Sequence, residues 1–457
     1  MLTKLHAAHA LLPDGWARDV VLGIGADGTI LRVDTGATDA GAERAAGPVV
    51  AGMPNLHSHA FQRALAGRTG RAGSAGDSFW TWRQAMYAFL DRVDADEFEA
   101  IAAQAYVEML KAGYTAVAEF HYVHRDPAGR AYADRAELAH RIVAAARDAG
   151  IALTLLPVFY AHAGFGGLAP TPGQRRFTLS PDDYAGLLAT LSSEAVRDGF
   201  VVGAAPHSLR AVTPPELAAV VAAAPPAAPI HIHAAEQQRE VADCIAWSGR
   251  RPVEWLLTHA GVDARWCVVH ATHLTPEETA GLAASRAVAG LAPTTEADLG
   301  DGTFGARAYL GAGGAFGVGS DSNTGIDPFA ELRQLEWSQR LQRQQRNVLA
   351  DGGRPQLPVG QALYAAAAAG GAQAIGRRTG VLAVGRRADL VVLNEMDPAL
   401  AGQRGEDVLD AAIFGPSRRP VRDVMVGGRW VVREGRHPDE EAILARYLVT
   451  LARLAAA

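Results

Sequence analysis

Cysteine is scarce in this chain. Only Cys244 and Cys267 occur among 457 residues, and they form no Cys-x-x-Cys. That excludes a disulfide framework and a thiolate-held metal, and it fits a cytoplasmic protein. Any metal would have to be held by imidazole and carboxylate. Runs rich in Lys or Arg are also missing and the formal net charge is -6, which argues against nucleic acid as a partner. Long apolar runs are lacking too. Stretches such as Ala362 to Ala369 are Ala-rich and too short to span a bilayer, so no membrane partner is expected. Met1-Leu2-Thr3-Lys4 leads into turns and strands, not into the apolar core of a signal peptide. What remains is an ordinary globular balance, 49% hydrophobic and 20% charged, long enough for one large domain and a small one.

The punctuation of the chain predicts its organisation. Pro13-Asp14-Gly15 and Ala26-Asp27-Gly28 are turn signals around strand-like runs at Val20 to Gly23 and Thr29 to Val33. From residue 48, apolar strand runs alternate with Ala/Leu-rich helical patterns such as Ala139 to Ala149, Glu216 to Ala224 and Pro276 to Ala284. Eight runs are expected as strands: 48–52, 115–120, 151–159, 200–205, 229–233, 266–270, 287–292 and 315–319. Eight strands with helical crossovers predict an α/β chain closed as a (β/α)8 TIM barrel, its strands apolar on both faces. Short strands return at Ala388 to Leu393 and on either side of Gly427-Gly428. The expected division is a small composite β-sandwich domain from 1–47 and 376–436, a catalytic barrel over 48–375, and a C-terminal helix over 437–457.

The chemistry-bearing residues stand just after these strands, where a barrel places its active site. His57 and His59 follow the first, and the period of two sets both imidazoles on one face. A bare His-x-His is as often two ordinary histidines as a ligand pair, so the weight rests on the rest of the set. His233 and Glu236 follow the fifth strand, His270 and His273 the sixth, and Ser320-Asp321-Ser322 the eighth. His57, His59, His233 and Asp321 could close around one divalent ion and leave a position for water, a donor set that suits catalytic zinc. His231 and His273 are expected in supporting roles, and Asp321 alone could be a helix cap.

The pattern resembles the amidohydrolase superfamily, and within it the deaminase branch. The likeness includes Gly380-Val381-Leu382-Ala383-Val384-Gly385-Arg386-Arg387-Ala388-Asp389-Leu390 near the C-terminus. No lysine follows the fourth strand, where two-metal members carry a bridging one, so a single metal is expected. Closer still, the chain resembles the N-formimino-L-glutamate deiminase family. The stretches that carry this are Gly52 to Arg63, Phe79-Trp80-Thr81-Trp82-Arg83, Glu119-Phe120-His121-Tyr122, Pro206 to Val212, His231 to Gln237, Pro293 to Ala297 and Gly319 to Ser322. The same resemblance leads one to expect a cysteine where Ala292 stands and an asparagine where Asp298 stands.

The resemblance implies a zinc-dependent hydrolase of histidine degradation that converts N-formimino-L-glutamate to N-formyl-L-glutamate and ammonia. A metal-bound hydroxide would attack the formimino carbon. Glu236 would shuttle the proton, His270 would orient the water and stabilise developing charge, and Asp321 would ligate the metal and accept a proton. Arg83 and Arg210 would clamp the two substrate carboxylates, because a guanidinium stays charged and binds them bidentately. Gln62, Tyr122 and His207 would add hydrogen bonds. Without the resemblance, Trp80-Thr81-Trp82-Arg83 reads as a helix start with aromatic anchors. A homodimer is also implied. The alternatives are a mononuclear deaminase of a heterocyclic ring, a catalytically silent metal-stabilised binding subunit, and a hydrolase of cyclic amides. The first would want stacking aromatics and fewer arginines in its pocket, the second the loss of Glu236, His270 or Asp321, and the third a lysine-bridged metal pair.

Overall fold

The computed structural model describes residues 2–39, 41–70, 77–354, 356–415 and 419–456. It opens with β1 (Thr3–Leu12) and β2 (Gly15–Ile24), antiparallel across the Pro13-Asp14 turn, followed by β3 (Ile30–Asp34) on the far side of β2. The whole of β1 lies outside the strand runs read from sequence. Its Ala/His-rich composition has few of the β-branched residues that mark strands. Then β4 (Glu43–Arg44) and β5 (Val49–Ala51) pair parallel with β1.

The barrel strands are β6 (Met53–Ser58), β7 (Tyr114–His121), β8 (Ala152–Phe159), β9 (Val201–Val202) and β10 (Ala205–Pro206) in one arc. The other arc is β11 (Ile230–Ala234), β12 (Trp266–His270), β13 (Val288–Leu291) and β14 (Ala315–Val318). Bridges Ala204 to Ile230, Ser208 to His233 and Ser58 to Asp321, all parallel, join the arcs into a closed ring. The fourth strand position is shared by β9 and β10, and Pro206 has no N–H to extend the ladder. This is the (β/α)8 barrel expected from the alternation.

Last come β15 (Leu390–Leu393), β16 (Val421–Val426) and β17 (Arg429–Val432), which return to the first sheet in the order β17-β16-β15-β5-β1-β2-β3. The sheet curls on itself. Ile30 N–H donates to Arg386 O at 2.8 Å and Ala388 N–H to Gly28 O at 2.7 Å. Its core includes Leu5, Val20, Leu22, Val49, Leu390 and Met425.

The run 48–52, read as the first barrel strand, divides. Val49–Ala51 lies in the composite sheet between β1 and β15, and the barrel strand begins at Met53. Gly52 N–H donates to Asp389 O of that sheet, while Met53 N–H donates to Gly113 O at the foot of β7. A side chain at position 52 would collide with Thr115, so only glycine lets the chain pass so close. Both strands are buried on both faces, and periodicity cannot tell such neighbours apart.

Helices sheathe the ring. Ala95–Ala112 starts on an Asp94/Glu97 capping box and stops at left-handed Gly113. The C-terminal helix Glu440–Ala456, inside the expected 437–457, docks on it through Arg453 to Glu97 and Lys111 to Glu440. Among the described residues no helix is long and apolar enough to cross a membrane.

Candidate active site

Three imidazoles meet at the C-terminal mouth of the barrel. His57 Nε2 lies 3.2 Å from His59 Nε2 and 3.0 Å from His233 Nε2. Asp321 Oδ1 stands 3.6 Å from His57 Nε2 and 3.4 Å from His59 Nε2. The Nδ1 atoms of His59 and His233 face the carbonyl oxygens of Phe120 and His207, at 3.1 and 3.0 Å. Those nitrogens therefore carry the protons, and both Nε2 lone pairs point inward. One proton on His57 Nε2 could satisfy one of its two contacts, not both. Burial, with the crowding of neighbouring imidazoles, holds His57 and His233 well below the ordinary histidine range, and burial takes His59 to about 3. Three neutral imidazoles converge closely enough to hold a divalent cation, with the Asp321 carboxyl beside two of them.

A polar network fixes this cage. Asn55 Nδ2 donates to Ser320 Oγ at 2.7 Å, and Ser320 N–H returns to Asn55 Oδ1 at 3.1 Å. Asn323 Nδ2 reaches Ser58 Oγ, His59 O and Asp321 O at 3.0–3.2 Å. Gly319 lets β14 lie against the ligand strand, because a Cβ there would stand 2.6 Å from His57 O. Glu119 accepts the Ala60 N–H at 2.7 Å, which fixes the turn after His59. Of these supports sequence singles out Ser320 alone, in Ser320-Asp321-Ser322, although Asn55, Glu119 and Gly319 fall inside the stretches that carry the resemblance.

Beside the cage, His270 Nε2 lies 3.8 Å from both Glu236 Oε1 and Asp321 Oδ2, and its Nδ1 lies 3.3 Å from Glu296 Oε1. Burial alone would discharge His270, but Glu236, Glu296 and Asp321 outweigh it and raise it to about 10. Burial pushes Asp321 up to about 7, partly offset by His270. Glu240 accepts the N–H groups of Ala235 and Glu236 at 3.2 and 3.1 Å and so sets the backbone under Glu236. Ala235, His270, Ala271 and Asp321 all have positive φ, between 43° and 68°. Left-handed backbone costs on the order of 1 kcal/mol at each such residue and gathers at functional sites.

A cleft of about 560 Å³ opens from this cluster. Every residue named from sequence as catalytic or substrate-binding lines it, together with His59 and His233, while His57 sits behind. Arg210 Nη2 lies 3.5 Å from Glu236 Oε2. Burial works against the charge of Arg210, but Glu240 and Glu236 outweigh it and raise its pKa. Arg83 enters from the helix Phe79–Leu90, its Cζ 4.6 Å from the Trp80 ring centroid. The Nε atoms of both arginines are buried with no hydrogen-bond partner among the described residues. Gln62 Nε2 donates to Tyr122 Oη at 3.0 Å, and the His207 ring packs edge-on against Tyr160 at 4.6 Å. Phe79, Trp82, Tyr87, Tyr160 and Phe177 complete an aromatic wall, of which sequence reading had marked only Phe79 and Trp82.

His231 Nε2 meets Ala374 O at 2.7 Å, below the site, and His273 Nδ1 pairs with Gln238 Nε2 at 2.9 Å. Neither lines the cleft. Ala292 is buried and gives its N–H to Glu296 Oε1 at 3.1 Å, whereas Asp298 is exposed. The helix Pro293–Leu299 thus serves the site through Glu296.

Residues 49–431 match the amidohydrolase family model, and residues 2–47 match the model described as formimidoylglutamate deiminase HutF, N-terminal domain. The chain is 54% identical over 453 residues to a formimidoylglutamate deiminase of Pseudomonas aeruginosa, covering 99% of this chain and 100% of that one. An amidohydrolase structure from Brucella melitensis superposes with a TM-score of 0.94 at 49% identity, over 99% of this chain and 100% of that one. An adenosine deaminase from Xanthomonas campestris with bound zinc shares the fold, with a TM-score of 0.83 at 22% identity over 100% and 99%.

Proposed function

The chain belongs to the amidohydrolase family, as a hydrolase of its formimidoylglutamate deiminase group, and from that premise we propose that it hydrolyses N-formimino-L-glutamate to N-formyl-L-glutamate and ammonia in histidine breakdown. The observation that carries the reading is the polarity of one cleft. Imidazoles and carboxylates crowd one end, and two arginines with unfilled buried donors stand in its wall. A linear amidinium with two carboxylates matches that layout.

In this reading His57, His59, His233 and Asp321 hold one divalent ion, zinc by donor type. When bound, the ion lowers the pKa of a water to about 7 and so supplies the nucleophile near neutral pH. Glu236 faces the cationic amidinium, takes a proton from the water and hands it to the terminal nitrogen, which leaves as ammonia. His270, held by Glu296, orients the water and faces the charge that develops at the formimino carbon. Asp321 accepts the remaining hydroxyl proton as the bond to the leaving nitrogen breaks and the formyl carbonyl forms. Arg83 and Arg210 take the carboxylates, with Gln62, Tyr122 and His207 adding hydrogen bonds. A homodimer in the cytoplasm belongs to the same reading.

The aromatic wall also suits a heterocyclic ring, so a ring deaminase is the second reading. The test is ammonia release by the metal-replete protein from N-formimino-L-glutamate and from a nucleobase panel, with Glu236→Ala alongside. Release from the diacid, lost by at least about a hundredfold in the variant, supports substrate and shuttle together. Release only from a ring overturns the substrate.

A further inference from the structure

Trp80 is a half-buried aromatic that the mechanism does not use. Its neighbours Phe79, Trp82, Arg83, Met86 and Tyr87 line the cleft, and Trp80 does not. Its indole instead faces two guanidiniums. Arg83 Cζ is 4.6 Å from the ring centroid, and Arg239 Cζ, from the helix Gln238–Ser248, is 4.8 Å from it. Arg239 is mostly exposed and its nearest acid is Asp243 at 3.6 Å. Phe79 and Tyr87 add more distant faces to Arg83, at 5.9 and 5.8 Å.

An aromatic face attracts a guanidinium through its quadrupole without neutralising it. A carboxylate in the same place would fix Arg83 equally well, but it would cancel the charge that an anionic substrate needs. Arg83 Nε is buried and unpartnered among the described residues, so the side chain is positioned by ring contacts and keeps donors free. The second guanidinium fixes the indole in turn. Arg239 stands three residues after Glu236, so the indole ties the wall that carries Arg83 to the strand end that carries the proposed proton shuttle.

We infer that Trp80, braced by Arg239, is a positioning residue that sets the reach of Arg83 and thereby selects substrates bearing a second carboxylate. The inference rests on the reading that the cleft takes a dicarboxylate amidine. It predicts a penalty confined to binding and to one end of the substrate.

The experiment is steady-state kinetics of the metal-loaded enzyme and its Trp80→Ala, Trp80→Phe and Arg239→Gln variants. The substrates are N-formimino-L-glutamate and its two monoamides, one at each carboxylate. Trp80→Ala should raise KM for the diacid about tenfold with kcat within about twofold, and Trp80→Phe should recover most of the loss. Arg239→Gln, which leaves the ring in place, should raise KM about twofold in the same pattern. The rise should persist for one monoamide and vanish for the other. An equal rise on all three substrates, or a fall in kcat at unchanged KM, overturns the inference. So does an unchanged KM in both Trp80 variants of an enzyme active on the diacid. A wild type that releases no ammonia from the diacid overturns the functional reading, and this inference with it.

Discussion

The two ends of the cleft are built on different principles. At the proposed metal end the side chains ride on strand termini, and two of the three imidazoles have a second bond. His59 and His233 are pinned through Nδ1, and Asn55, Ser320 and Asn323 stitch β6 to the segment after β14. At the arginine end, Arg83 comes from a helix and Arg210 from the loop after β10, and both keep buried nitrogens unfilled beside aromatic rings. A cage for an ion needs donors fixed to a few tenths of an ångström. A site for carboxylates needs charge held in place with its hydrogen bonds unspent. Nδ1 bonds to backbone carbonyls hold two of the imidazoles at the first end, whereas buried guanidinium nitrogens without a partner among the described residues mark the second.

Four measurements can break or sharpen that contrast. The largest effect is expected from His233→Ala, which removes one of three converging imidazoles. Bound metal should fall far below one equivalent and kcat should drop on the order of a thousandfold or more, read by elemental analysis and ammonia release. Next is Arg210→Met, which leaves Glu236 buried without its ion pair. A fall of about a hundredfold in kcat/KM is expected with metal content unchanged. Loss of metal in that variant would show that the two ends are not separable. Asn323→Ala should weaken metal affinity about tenfold, read by competition with a chelator, and leave KM for the diacid in place. The smallest effect serves as a control on stability alone. His140 lies on the outer ring between Glu194 at 2.9 Å and Asp134 at 2.7 Å. Burial opposes its charge, but the two carboxylates outweigh burial and raise its pKa above the ordinary 6.5. Its contribution is therefore complete below about pH 6.5 and fades as pH rises through the raised value. Because the pair is partly exposed, the effect should be below about 1 kcal/mol in denaturant titrations. It should vanish in His140→Gln with kcat/KM untouched.

The sequence was most legible where a local rule fixes geometry. His57 and His59 share a face because strands alternate, and the eight apolar runs between helical patterns imposed a barrel with its site at one mouth. Residues that act through the backbone were hidden. Glu240, Glu119 and Glu296 work by accepting main-chain N–H groups or bracing a ring, and any buried carboxylate in a helix or strand looks the same in a list of letters. Asn55 and Ser320 meet across 265 positions, a pairing no local pattern records. The aromatic wall was ambiguous because Trp and Phe at helical spacing read equally as core. The first barrel strand was placed too early because Val49–Ala51 and β6 are both buried throughout, and only the hydrogen bonds on either side of Gly52 part them.

That junction also bears on how the chain is made. Strand β5 lies between β1 and β15, so the sheet begun by the first residues is completed only after residues 390–393 leave the ribosome. At ordinary elongation rates the interval is on the order of tens of seconds. Throughout it β5 is an unfinished edge, and the strand that carries His57 hangs from it by a single glycine. The barrel strand β6 can pair with β7 well before the sheet that anchors its start is finished.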